Sequence, residues 1–129
     1  MTREEFIEEL SHTEYSYEIK GDKIVITGDE EGNFIMYLPS IPSDVIFTNP
    51  GYVELNYIKN IPSGVEFNNQ GPVILPSVTS IEKDVYFNNN REINIKRLVG
   101  TWFDFWHGNI KNVDDIRLLN LMIKKGMFI

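Results

Sequence analysis

One seven-residue phrase occurs three times in this chain at a fixed interval. Ile41-Pro42-Ser43-Asp44-Val45-Ile46-Phe47 returns as Ile61-Pro62-Ser63-Gly64-Val65-Glu66-Phe67, and again as Ile81-Glu82-Lys83-Asp84-Val85-Tyr86-Phe87. The interval is 20 residues each time. A second half keeps the same register: Val53 and Leu55 match Val73 and Leu75, then Ile93 and Ile95, while Ile58, Val78 and Leu98 form a further column. A sequence that repeats at this period folds as stacked copies of one unit, because no single unit can bury its own apolar face.

The unit reads I-P-x-x-V-x-F, a polar turn, then V-x-L-x-x-I. Both V-x-F and V-x-L alternate, so each predicts a short strand with one buried face. Between them stand Thr48-Asn49-Pro50-Gly51, Asn68-Asn69-Gln70-Gly71 and Asn88-Asn89-Asn90-Arg91. Asn and Gly tolerate positive φ, which marks these segments as turns. Pro42 and Pro62 restrict φ and discourage a helix after the first apolar residue. The expected fold is therefore mainly β: a short repeat solenoid of about three units.

The ends differ from the repeats, as caps must. Thr2-Arg3-Glu4-Glu5 is a capping box that predicts a helix from about Arg3 to Leu10. Two strand-like runs, 15–20 and 23–27, flank Gly21-Asp22 and read as a hairpin. Gly32–Leu38 resembles the second half of a unit, with Phe34 and Met36 one residue out of register. Near the far end, Asp114 or Asp115 can cap a helix running to about Lys125, with Ile116, Leu119, Leu121, Met122 and Ile123 on its apolar side and Gly126 ending it. The reading is one domain over 1–129: an N-terminal cap and degenerate repeat in 1–40, three repeats in 41–100, and a C-terminal helical cap in 101–129.

Composition limits the function classes. Hydrophobic residues make up 42% and charged residues 24% of the 129-residue chain, a balance that folds rather than staying disordered. The formal net charge of −7 argues against a binder of phosphate backbones, which needs clustered Lys and Arg. The acids are read as solvated surface, with nucleic-acid mimicry as the sharper alternative. No apolar run approaches a membrane span, the first residues lack the apolar stretch of a secretory signal, and there is no cysteine, so a cytoplasmic location is expected.

The I-P-x-x-V-x-F…V-x-L-x-x-I unit resembles a leucine-rich repeat of the short bacterial kind. It departs from that family in lacking the Asn-x-Leu step that ends the usual strand. The chain is also similar to small repeat proteins encoded by bacteriophages, in which I-P-x-x-V-x-F-N-N units are closed by a tail. The matching tail residues are Phe105-Trp106-His107-Gly108-Asn109-Ile110 and Arg117-Leu118-Leu119-Asn120-Leu121-Met122-Ile123, and the likeness spans roughly 41–128. It implies a viral origin and no assigned activity, with inhibition of a host defence protein as the role it suggests.

Residues able to carry chemistry are few. His12 and His107 are the chain's only histidines and belong near opposite ends of a solenoid. His12 reads as a solvated linker residue, and His107 falls in the Phe47, Phe67, Phe87 column as a core-capping residue. Asp29-Glu30-Glu31 lacks the spacing of a calcium loop and reads as a turn. The Asn rows predict ladders along the solenoid, with a polar groove for a sugar or nucleotide as the alternative. No catalytic residue, metal site or cofactor is expected.

What is left is surface. The outward column of the first strand is Ile46, Glu66, Tyr86 and, if the pattern continues, Trp106. That of the second strand includes Tyr52, Glu54 and Ile74. Exposed aromatic and aliphatic residues in a row suit a contact surface. Trp102, Phe103 and Phe105 are assigned to packing beneath the terminal helix. The expected function is a non-enzymatic protein-binding module. The alternatives are a small-molecule sponge for a nucleotide signal and a self-assembling structural protein, with an enzyme last.

Overall fold

Columns that repeat in sequence become columns in space. The computed structural model describes residues 1–90, 92–95, 109–110 and 113–126 and is a short β-solenoid with a helix at each end. An N-terminal helix α1 (Arg3–Ser11) leads into a hairpin, β1 (Ser16–Lys20) and β2 (Lys23–Gly28), followed by β3 (Phe34–Met36). The repeats contribute β4 (Val45–Phe47), β5 (Val53–Leu55), β6 (Asn60–Ile61), β7 (Glu66–Phe67), β8 (Val73–Ile74), β9 (Ser80–Ile81), β10 (Tyr86–Phe87) and β11 (Ile93–Asn94). A two-residue strand β12 (Asn109–Ile110) and helix α2 (Val113–Lys124) follow.

The strands form three sheets, ordered β1-β2-β4-β7-β10, β12-β11-β8-β5-β3 and β6-β9. V-x-F strands of the repeats join the first, V-x-L strands the second, and the short strands that end on the first Ile of the phrase, Ile61 and Ile81, form the third. Repeat-to-repeat pairing is parallel and in register: Phe47 lies opposite Phe67 and Phe67 opposite Phe87, while Val53 lies opposite Val73 and Val73 opposite Ile93.

Among the described residues the solenoid has about four coils where the repeat phrase alone marks three. β2 pairs in parallel with β4, setting Ile24 opposite Val45 and Ile26 opposite Phe47, and β3 pairs with β5, setting Phe34 opposite Val53. The hairpin strand β2 is thus also the first rung of the first coil. The offset of Phe34 and Met36 is absorbed in the turn before them. There the Asp29 carboxylate accepts the backbone N–H of Glu31 at 2.9 Å and of Asn33 at 3.0 Å, and Gly32 adopts φ 81°. Asp29 is therefore a turn-former, consistent with the structural reading of that acidic run.

Inside, the described column residues are buried. Phe47, Phe67 and Phe87 are fully buried, with neighbouring ring centroids 5.2 and 4.8 Å apart and planes 8° and 9° from parallel. The spacing follows the strand repeat of about 4.8 Å, so in-register pairing alone stacks the rings. At the coil corner the positions before V-x-F, Asp44, Gly64 and Asp84, all take positive φ, at 62°, 82° and 61°.

Buried asparagines hold the turns between the first two sheets. Asn49, Asn69 and Asn90 are at most 1% exposed. The Asn69 amide donates to the carbonyls of Gly51 at 3.1 Å and Gly71 at 3.2 Å, and Asn90 donates to the Asn69 carbonyl at 2.8 Å. Each amide ties its own turn to the one beneath it, satisfying carbonyls that the curving backbone turns inward.

The N-terminal cap forms as its local signals predict. Thr2 Oγ1 accepts the Glu5 N–H at 3.1 Å, and Glu5 Oε1 accepts the Thr2 N–H at 3.1 Å. That backbone hydrogen bond from Thr2 is the main cause holding the Glu5 carboxyl below its ordinary pKa. Phe6 and Leu10 point from α1 onto the first coil and are fully buried. In α2, Ile116, Leu119, Met122 and Ile123 are buried. Leu121, assigned to the apolar side from sequence, instead lies 49% exposed beside Leu118, because the spacing of three residues that joins these two puts them on the outer face. Gly126 follows at φ 71°, as a helix-ending glycine does. Among the described residues no helix is long and apolar enough to cross a membrane.

Candidate functional site

The two outward columns expected to form a partner surface sit on two different sheets. On the first, Val25, Ile46, Glu66 and Tyr86 align across β2, β4, β7 and β10. Glu66 and Tyr86 are half-buried. Ile46 is not available: it is only 7% exposed. Val25 and Glu66 are its neighbours one strand spacing away on either side. Trp106 and His107 lie outside the described residues, as do Trp102, Phe103 and Phe105.

On the second sheet Glu54 lies opposite Ile74, and both are half-buried, as is Tyr52. The Tyr52 hydroxyl is pushed above its ordinary pKa, first by burial and then by the negative charge of Glu54 and Asp29, with Tyr15 and Glu31 adding to it. Tyr52 and Tyr86 therefore cannot contribute to one flat contact face.

A different aromatic pair is the most exposed on the molecule's described surface. Tyr37 and Tyr57 are 64% and 58% exposed, and their ring centroids stand 6.0 Å apart. They follow the V-x-L strands of the first and second coils and keep the 20-residue interval. Ser77 takes the next place in the row, and its hydroxyl turns inward to the Asn56 carbonyl at 2.7 Å. The signal that could have found this pair is the interval itself, applied to the position before Leu38 and Ile58.

Beside Tyr37 an open groove of about 490 Å³ separates the N-terminal cap from the start of the solenoid. One wall carries Glu9, His12, Glu14 and Tyr15, and the other Ile35, Tyr37 and Leu38. His12 lies 3.0 Å from Glu8, one helical turn earlier, and is exposed, as a solvated linker residue would be. Tyr15 packs on Phe34 with centroids 4.6 Å apart. Its hydroxyl donates to the Ile35 carbonyl at 2.8 Å and accepts the Ile35 N–H at 3.2 Å. A smaller hollow of about 230 Å³ adjoins it, sharing Glu14 and Tyr15 and adding Asp29, Glu30 and Glu31.

A third cavity, about 420 Å³, lies at the other end between the last asparagine turn and α2, lined by Asn88, Asn89, Asn90, Arg117 and Asn120. The neighbouring Asn88 and Asn68 side chains hydrogen-bond to each other along the outer row. Among the described residues no three His, Asp or Glu side chains group as metal ligands.

No family model matches the chain, and neither a curated protein nor a solved structure is significantly similar to it.

Proposed function

We propose that this chain is a non-enzymatic protein-binding module that meets its partner through Tyr37, Tyr57 and the groove beside them. The observation that carries this reading is the contrast between two aromatic rows built on one interval. Phe47, Phe67 and Phe87 are fully buried, whereas Tyr37 and Tyr57 are more than half exposed. Aromatic residues left in a contiguous exposed row are the usual anchors of a protein interface. Half-buried Glu66 and Tyr86 on one sheet, and Tyr52, Glu54 and Ile74 on another, are secondary candidates.

The likeness to small bacteriophage repeat proteins supports placing the partner in a bacterial host cell, with inhibition of a defence protein as the proposed role. The likeness to short leucine-rich repeats rests on the I-P-x-x-V-x-F phrase. A small-molecule sponge ranks lower, favoured only by the amide-lined cavity beside Arg117. Self-assembly by end-to-end strand pairing ranks lower too, because both ends of the solenoid carry caps.

The test is affinity capture from host lysate with wild-type protein and a Tyr37→Ala/Tyr57→Ala variant of unchanged melting temperature. A species held by the wild type and lost by the variant supports the reading. Equal capture by both overturns the assignment of the surface, and no capture by the wild type counts against a protein partner.

A further inference from the structure

We infer that the groove between the cap and the first coil takes a short, extended, basic segment of the partner, with Lys or Arg side chains alternating with apolar ones. This rests on the protein-binding reading and adds the chemistry of what is bound.

Charge is the first argument. Glu9 and Glu14 stand on the groove wall, Asp29, Glu30 and Glu31 line the hollow that adjoins it, and among the described residues no Lys or Arg lines either. The chain as a whole carries a formal net charge of −7. A concave surface of one sign attracts and orients a segment of the other.

Shape and apolar surface are the second. Ile35, Met36 and Leu38 give the opposite wall an apolar character, so alternate side chains of a bound segment would meet apolar surface and carboxylates in turn. A volume of about 490 Å³ holds a few side chains of such a segment. The exposed faces of Tyr37 and Tyr57 continue the groove outward and suit cations placed over the rings.

The backbone of β3 sets the mode of binding. Ile35 directs its N–H and C=O away from β5, and the Tyr15 hydroxyl occupies both. Strand addition at that residue is blocked, so the segment is held by its side chains.

The experiment uses the full chain and fluorescein-labelled hexapeptides: one alternating Lys and Leu, one alternating Glu and Leu, and one alternating Lys and Ser. Anisotropy titrations at low and high salt give the affinities. The Lys–Leu peptide is expected to bind at least tenfold tighter than either other peptide, with salt weakening it. Glu9→Gln/Glu14→Gln and Tyr37→Ala/Tyr57→Ala should each weaken it about tenfold or more. Asp22→Asn/Glu92→Gln, which removes the same charge at exposed positions elsewhere, should change it less than about threefold. Equal affinity for the Lys–Leu and Glu–Leu peptides overturns the proposal. So does equal weakening by the remote pair, which would assign the binding to net charge. If the peptides fail while a lysate protein still depends on Tyr37 and Tyr57, the basic segment falls and the protein-binding reading stands.

Discussion

The side-chain amide of Asn120 pairs with both backbone groups of Phe87. Its Oδ1 accepts the Phe87 N–H at 3.1 Å, and its Nδ2 donates to the Phe87 carbonyl at 3.2 Å. Those groups point away from β7 and would otherwise lie open at the last rung of the first sheet. At the opposite end, the Tyr15 hydroxyl does the same for Ile35 on the second sheet. The other edges of these two five-stranded sheets are covered by antiparallel strands, β1 on the first sheet and β12 on the second. Among the described residues, each end thus closes one of these two sheets with a strand and the other with a single polar side chain. The end rung of a parallel stack has no further rung to pair with, and an open edge is a template for aggregation, so both ends need such closure.

Asn120→Ala should therefore destabilise the protein by about 1–3 kcal/mol, the range for leaving buried polar groups without partners. Leu118→Ala, on the exposed face of the same helix, should stay within about 0.5 kcal/mol. Urea denaturation separates the two, and amide exchange at Phe87 should speed up only in the first. Equal effects would mean that the helix caps the solenoid by packing alone.

Phe67 is sandwiched between Phe47 and Phe87 in the buried stack, and its neighbour Glu66 faces outward. Phe67→Ala should cost about 3–5 kcal/mol, as deletion of a buried ring does. Glu66→Ala should cost no more than about 0.5 kcal/mol. Chemical denaturation that found them equally disruptive would contradict the strand register.

The asparagine turns offer a paired comparison within one residue type. Asn69 is fully buried and its amide donates to the carbonyls of Gly51 and Gly71, whereas Asn89 is exposed and donates to the Asn68 carbonyl at the surface, where water can replace it. Asn69→Ala strips those carbonyls of a donor and should cost about 1–3 kcal/mol. Asn89→Ala should change stability by about 0.5 kcal/mol or less, as surface substitutions do. Thermal melting of the two variants checks this directly, and matched losses would show that the buried row does not brace the turns.

The repeats, their strands, the buried aromatic column and the capping box were all legible in the sequence. Each depends on local or strictly periodic information: Thr2 and Glu5 are three residues apart, and positions 20 residues apart superpose once coils stack. The first coil was harder to read because its intervals are uneven. Ile26 pairs with Phe47 and Phe34 with Val53, so the turn at 29–33 must absorb the mismatch.

Other features were decided only when distant segments met. Ile46 alternates like an outward residue, yet it is buried on a strand set between those of Val25 and Glu66. Tyr15 and Asn120 carry no periodic signal, and their roles exist because the caps bring a hydroxyl to Ile35 and an amide to Phe87. The groove beside Tyr37 has one wall from the helical cap and the other from the first coil, so no stretch of sequence contains it. Periodicity by itself determined what repeats along the solenoid axis. Only the tertiary structure decided how the two ends are finished, because an end is where the repeating partner is missing and a non-repeating side chain must take its place.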